Sequence, residues 1–345
     1  MSLFFKSFKI LDNNEKKLIY FLVLITIVSM LFEVLSIGAI IPVMAGLLDQ
    51  NQFLNNLDFL NKQSLLNKIF DLNIKYIFLL FALIFLIKNI VIYFTFSFRS
   101  FLLNKIAARL SKNIFSKNTL LNYEEFTKKK TAEITNVNTT IVDVYRDTLG
   151  NIILFFSEIT IFLGIIFFLF LIEPKAVIIL SSISLGLSYL FYYFNKNLLS
   201  DWGRKVKINR ESKLQILLQS LNLIKNIKIL ENQNFFTEKY NFYNKKDYKY
   251  IFLQSLINNL PRHFFELLGI GILIFSVIYM VNMNFQTEDI IIILSIFGVA
   301  AYRILPGIGR ITTSITLVRF YKYSIDVIYE ELISSKINLD KNFFK

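Results

Sequence analysis

The sequence predicts an all-α membrane protein whose six transmembrane helices continue into long cytoplasmic extensions. Three observations support this fold class. Of its 345 residues, 54% are hydrophobic and 18% are charged, whereas soluble domains carry about a quarter charged residues. Apolar runs near the ~20 residues that cross a bilayer recur along the chain. Between these runs, apolar residues repeat at the spacing of one helix face.

The apolar runs predict six spans. The first is too long for a signal-peptide core and has no small-residue cleavage motif, so it is expected to stay in the membrane. The predicted spans are residues 18–48, 76–98, 152–172, 176–194, 264–281 and 290–305.

The basic residues predict the orientation of these spans. Residues 99–130 hold eight basic and two acidic residues and 196–250 hold twelve and five, whereas 49–75 hold three of each and 282–289 hold only two acids. Because Lys and Arg accumulate on the cytoplasmic side, both termini and both long basic segments are expected in the cytoplasm of a bacterial inner-membrane protein. The net charge of +13 thus indicates topology and anionic lipid neighbours rather than nucleic acid.

The basic segments are predicted to be helical extensions of spans two to five. They contain almost no Pro or Gly, and their apolar residues follow helical spacing. These residues are Leu102, Leu103, Ile106, Leu110 and Ile114, then Leu214, Leu217, Leu218, Leu221 and Ile224. The loop 49–75 is expected to form a short amphipathic helix, either at the outer interface or packed on the bundle.

Composition argues against catalysis within the chain. The absence of Cys excludes disulfides and cysteine nucleophiles, and one histidine, His263, cannot build a histidine metal site. We expect His263 to be a packed polar residue. An intramembrane transferase is disfavoured because there is no HExxH motif and no paired-Asp loop, so no catalytic residue and no metal site are predicted.

Two aromatic turns, at residues 122–134 and 226–240, complete a pattern that resembles the transmembrane domain of exporter-type ABC transporters. The resemblance implies a helix-swapped homodimer whose turns dock on nucleotide-binding domains as coupling helices. The implied docking residues are Tyr123, Glu124, Phe126, Phe235 and Phe236. The family often has Gly-Glu after the first turn, whereas this chain has Ala132-Glu133. Alternatively, the aromatics cap the bundle.

Three further stretches resemble flippases of lipid-linked oligosaccharides: residues 301–310, 323–329 and 260–262. This resemblance implies a polyprenyl-diphosphate-linked glycan as the anionic cargo. An exporter of another lipid, peptide or drug is the nearest alternative. A non-transporting scaffold or gene remnant is a further one.

The sequence contains no phosphate-binding loop GxxxxGK[ST] and no LSGGQ-like signature. The segment GIGRITTS at 307–314 lacks the lysine that contacts the β- and γ-phosphates. We therefore expect residues 1–335 to form the transmembrane domain and 336–345 a stub toward a nucleotide-binding domain, separate or truncated, that holds ATP and Mg²⁺. The chain alone is not expected to hydrolyse ATP.

Four cations are predicted to line a path for headgroup phosphate: Lys88 and Arg303 near mid-membrane, and Arg262 and Arg310 at the cytoplasmic mouth. Charges inside membranes usually mark function, and arginine binds phosphate with two parallel hydrogen bonds. The alternative is neutralisation within the protein. Arg262 could pair with Glu266, Glu33 or Glu158 could pair with Lys88 or Arg303, and Arg310 could extend to the interface.

Pro306 and Gly307 are the predicted hinge of the last span. Proline removes one helical hydrogen bond, and glycine permits close approach of a neighbouring helix. Both residues are also common in membrane helices that have no moving part, so the alternative is a purely structural role.

Overall fold

A computed structural model describes residues 3–39, 74–172, 174–282, 298 and 306–334, which are helical apart from short turns. The α-helices are α1 Leu3–Ile10, α2 Asn13–Gly38, α3 Ile74–Thr119, α4 Tyr123–Lys128, α5 Thr131–Asn136, α6 Val142–Ile172, α7 Pro174–Asn222, α8 Ile224–Ile229, α9 Gln233–Asn282, α10 at 306–320, and α11 Lys322–Tyr329. Two π-helical stretches are π1 Val137–Ile141 and π2 Glu330–Ser334.

Three helices in the described ranges are long and apolar enough to cross a membrane: α2, α3, and the continuous helix Thr131–Leu171 that α5, π1 and α6 form. They contain the second and third predicted spans and residues 18–38 of the first, whose residues 40–48 lie outside the described ranges. The fourth and fifth predicted spans lie in α7 and α9. The sixth, at 290–305, and most of the loop 49–75 lie outside the described residues, so the number of six spans stays a prediction.

The long helices exceed the thickness of a membrane. Helices α3, α7 and α9 contain 46, 49 and 50 residues. At 1.5 Å per residue each is roughly 70–75 Å long, more than twice the ~30 Å hydrocarbon core. Each span therefore continues into a helical extension, as the apolar spacing predicted.

The main core lies among the extensions of α3 and α6, with α1, α2 and α11 packed around it. The predicted apolar face of α3 is buried, and the opposing residues come from π1, α6 and α11. The fully buried members include Leu102, Ile106, Leu110, Ile114, Ile141, Tyr145, Ile325 and Ile328.

The corner between α1 and α2 is fixed by a capping box. Asp12 is the N-cap residue of α2, and the Glu15 side chain accepts a hydrogen bond from the Asp12 backbone. The guanidinium of Arg109, from α3, donates to Glu15 through Nε and Nη2, both at 2.7 Å. The capping box explains why α2 begins at Asn13, five residues before the predicted span.

The second predicted apolar face behaves differently. Helix α7 is formed as predicted, but its Leu217 and Leu221 are exposed in the single chain, as is Ile224 at the start of α8. The buried neighbours are Ile216 of α7 and Ile227 of α8. Helical spacing correctly predicted the helix, but did not predict whether this face is covered by the same chain. An apolar face of this kind is typical of an interaction surface.

Candidate coupling surface and intramembrane charges

Helix α4 presents the first predicted coupling turn. The residues on either side, Asn122 and Lys129, have extended backbones, so the chain reverses direction around one short helix with no buried residue. Tyr123 is 84% exposed and Phe126 is also exposed. Glu124 pairs with Lys128 at 3.0 Å on the open surface. A ring that capped the bundle would be covered by it, and Tyr123 is not.

The end of α4 is anchored to the C-terminal part of the described chain. The Lys129 ammonium contacts Glu331 of π2 at 2.7 Å and Asn118 at 3.3 Å. Lys117, at the end of α3, donates to the backbone carbonyl of Glu331. Glu331 therefore joins three elements: α3, the first turn and π2.

The second predicted turn consists of α8, a tight reversal and the start of α9. Glu231 adopts a left-handed backbone with φ of 51°, which is unusual for a residue other than glycine. Phe235 is exposed, and its ring lies 5.4 Å from that of Phe236 in an edge-to-face contact.

Sequence reasoning missed the aliphatic part of this surface. Four large aliphatic side chains beside the phenylalanines are exposed: Leu223, Ile224, Ile229 and Leu230. Their presence in a sequence otherwise rich in Lys and Asn was a usable signal. Which of these side chains are exposed depends on how the short helix is rotated, and the spacing in the sequence does not give that rotation.

Lys88 is paired inside the bundle. Its ammonium lies 3.3 Å from Glu33 of α2 and donates to the Ser36 hydroxyl at 3.1 Å. The side chains of Lys88 and Glu33 are 13% and 2% exposed. This pairing is one of the alternatives that the sequence left open, and Lys88 as a path residue stays a prediction.

Arg310 forms the second intramembrane pair. Its Nε lies 2.6 Å from Oε1 of Glu158, and its Nη2 lies 3.2 Å from Oε2, a two-pronged contact between α10 and α6. Glu158 is 8% exposed, whereas the Arg310 side chain is 37% exposed. The pair is therefore closed on the carboxylate side and open on the arginine side.

Three other predicted positions have less structural detail. Arg303 lies outside the described residues. Arg262 follows Pro261 inside α9, but its side chain is not among those described. Neighbouring His263 and Glu266 are exposed, so the expected packing of His263 is not found.

The structure describes both predicted hinge residues but not the segment that precedes them. Gly307 is buried, and a Cβ added there would lie 3.6 Å from the Glu158 carboxylate. Pro306 is exposed at the first residue of the described part of α10. Because residues 299–305 lie outside the described ranges, hinge motion at Pro306 and Gly307 stays a prediction.

A buried charge cluster beyond the predicted spans was not found from sequence. The Asp247 carboxylate of α9 is buried. It forms salt bridges with Lys213 at 2.8 Å and with Arg210 at 3.4 Å, both from α7. Burial raises the pKa of Tyr323, beside Arg210, to about 12. A cavity of about 200 Å³ adjoins the cluster, lined partly by Asn136, Thr140 and Tyr240. The spacing between residues 210 and 247 gives no sign of this contact.

The described ranges contain no group of three His, Cys, Asp or Glu side chains that could hold a metal ion. The candidate site consists of two exposed turns at the ends of long helices and two ion pairs in or next to the predicted spans. A family model described as ABC transporter transmembrane region matches residues 18–302. That match covers most of the chain, including the three apolar helices and both turns. The chain belongs to the ABC transporter transmembrane region family.

Proposed function

We propose that this chain is the membrane subunit of an ATP-driven exporter that flips an anionic amphiphile outward across a bacterial inner membrane. As a member of the family, it is a transporter subunit whose general partners are membrane lipids and a nucleotide-binding domain. The cargo that we propose is a polyprenyl-diphosphate-linked oligosaccharide. ATP and Mg²⁺ belong to the partner domain, whether separate or fused.

The observation that supports ATP coupling is the exposure of both turns at the ends of the long helices. Tyr123, Phe126 and Phe235 present aromatic surface there, and Leu230 adds aliphatic surface. Aromatic side chains in exposed positions are typical anchors of protein interfaces. A nucleotide-binding domain that binds these turns would move the attached helices, which are about 70 Å long. This movement would open the bundle alternately to each side of the membrane.

A homodimer is supported by the uncovered apolar face of α7. Leu217 and Leu221 lie about one helical turn apart on α7, Ile224 follows at the start of α8, and all three are exposed in the single chain. A second copy that exchanges its α7–α9 pair would cover this face. The same arrangement would enclose a shared central cavity and double the number of cations that face it.

The diphosphate cargo is supported by basic residues among the spans. The Arg310 side chain is 37% exposed at the predicted cytoplasmic mouth, where a headgroup would enter. Lys88, by contrast, is covered, so its contact with a phosphate requires a conformation in which α2 and α3 separate. Arginine suits the first contact because its planar donors match phosphate oxygens.

A cargo without phosphate is the second candidate. The observation that favours it is that both described intramembrane cations already have carboxylate partners, Glu33 and Glu158. Charged side chains within a membrane commonly pair with one another. An exporter of a neutral lipid, peptide or drug needs no free cation on its path.

The test is reconstitution of this chain with its nucleotide-binding domain in proteoliposomes. We expect ATP-dependent flipping of a short-chain polyprenyl-diphosphate glycan, and inhibition by the unlabelled compound but not by the corresponding free polyprenol. Loss of flipping in Arg303→Ala, with unchanged thermal unfolding, would support the cation path. Equal flipping of a neutral phospholipid and the glycan would contradict the proposed cargo.

A further inference from the structure

The contact between Arg310 and Glu158 has the geometry of a bound oxyanion. Two carboxylate oxygens accept from Nε and Nη2 at 2.6 and 3.2 Å. Phosphate oxygens make the same two-pronged contact with a guanidinium. Glu158 therefore occupies the donors that a phosphate arriving at Arg310 would use.

We propose that Glu158 is a resident anion that occupies Arg310 in the empty transporter and is displaced by the phosphate of the incoming cargo. The inference rests on the proposed function, in which the cargo bears a phosphate. It adds a step: recognition is an exchange of one anion for another on Arg310. Arg310 has one anionic group as its partner before and after the exchange.

The Arg310–Glu158 pair is more exposed than the Lys88–Glu33 pair. The Arg310 side chain is 37% exposed, whereas that of Lys88 is 13% exposed, with Glu33 almost fully covered. An arginine edge in contact with hydrocarbon is unfavourable, so the open edge of Arg310 faces water or a neighbouring chain. A phosphate can approach Arg310 from that side, while Lys88 offers no comparable access.

The displaced carboxylate has a second cation nearby. Arg99, on α3, interacts electrostatically with Glu158. A buried carboxylate that lost its partner altogether would be strongly destabilising. Arg99 reduces that cost, because Glu158 keeps an opposite charge when Arg310 turns to the phosphate. Gly307 also has no side chain beside the carboxylate, which leaves room for Glu158 to move.

The test measures binding to the full chain in lipid nanodiscs, with three probes: farnesyl diphosphate, inorganic diphosphate and farnesol. In Glu158→Gln we expect both diphosphates to bind roughly ten- to hundredfold more tightly, the range for a hydrogen bond to a charged group. Farnesol should bind equally to parent and variant. Glu211→Gln, which alters a glutamate–lysine pair outside the predicted spans, is the matched control and should change none of the three affinities.

A double variant distinguishes anion exchange at Arg310 from a nonspecific effect of the Glu158 substitution on the structure. If Glu158 acts through Arg310, the gain disappears in Glu158→Gln/Arg310→Ala. Thermal unfolding reports whether each variant is folded. If Glu158→Gln does not fold, Glu158→Asp takes its place, because the shorter acid reaches Arg310 less well and should give a smaller gain of the same sign.

The exchange is overturned if a folded Glu158 variant binds inorganic diphosphate no more tightly than the parent, or if the gain persists without Arg310. If the gain appears with inorganic diphosphate while farnesyl diphosphate binds no better than farnesol, the exchange holds and the lipid-linked cargo is wrong. If neither diphosphate binds Glu158→Gln more tightly, while farnesyl diphosphate still binds the parent more tightly than farnesol does, the cargo stands and the exchange is wrong.

Discussion

Gly203 of α7 lies in backbone contact with Phe320 at the end of α10. A Cβ added to Gly203 would stand 1.7 Å from the Phe320 carbonyl oxygen, and Phe320 itself is fully buried. The extension of the fourth predicted span therefore touches α10, which follows the sixth predicted span, at a point where only hydrogen fits. The contact joins the extension of α7 to the helix that bears Arg310.

Gly203→Ala is expected to destabilise the protein. The obstacle is backbone and cannot rotate away, so overpacking should cost at least about 1–3 kcal/mol, more than the ~1 kcal/mol that alanine gains over glycine in a helix. The measurement is the thermal unfolding midpoint in nanodiscs. The control is Gly186→Ala on the same helix, where an added Cβ meets nothing within 4 Å and stability should stay equal or rise. Equal midpoints for both variants would refute the contact.

Glu33→Gln should destabilise the protein, and a second substitution should restore most of the lost stability. Removal of one partner leaves the Lys88 ammonium buried without its carboxylate, which costs about 3–5 kcal/mol in buried pairs. The double variant Glu33→Gln/Lys88→Met removes both charges and should recover most of the loss. A double-mutant cycle on thermal unfolding measures the coupling. Additive effects of the two single changes would show that the pair contributes no interaction energy.

Tyr123→Ala should leave the fold intact and weaken coupling. Because the ring is almost fully exposed, thermal unfolding should be unchanged, whereas loss of an aromatic interface anchor typically costs about 2 kcal/mol or more in binding. The measurement is affinity for the nucleotide-binding domain and cargo-stimulated ATPase. Phe252→Ala, which removes another exposed aromatic side chain on α9 away from both turns, is the control. An equal loss in both variants would contradict the assignment of α4 as a docking helix.

Glu211→Gln should stabilise the protein at neutral pH. Burial raises the pKa of Glu211, and Lys207 at 3.7 Å offsets this only in part. The unfolded glutamate ionises at about pH 4.3, so folding stability falls as pH rises from there through the folded pKa. The glutamine variant lacks this loss, and its advantage should be present at pH 7 and vanish below pH 4. A variant less stable than the parent at pH 7 would contradict the sign.

Local patterns predicted the helices well. The spacing of Leu102, Ile106, Leu110 and Ile114 correctly predicted a buried face, because α3 packs on neighbours within the same chain. The same spacing in α7 predicted the helix but not the exposure of Leu217 and Leu221. Periodicity reports that a face is apolar, and the surrounding chains decide whether it is covered.

The sequence by itself determined the helical membrane architecture, the first three apolar spans and the two turns, since these depend on hydropathy and on residues close together in the chain. Only the tertiary structure decided which charges meet. Lys88 with Glu33 and Arg310 with Glu158 are separated by 55 and 152 residues. Several acids could have served each cation, and the choice depends on how whole helices rotate and slide against one another. That packing is set jointly by many side chains and by close contacts such as Gly203 on Phe320.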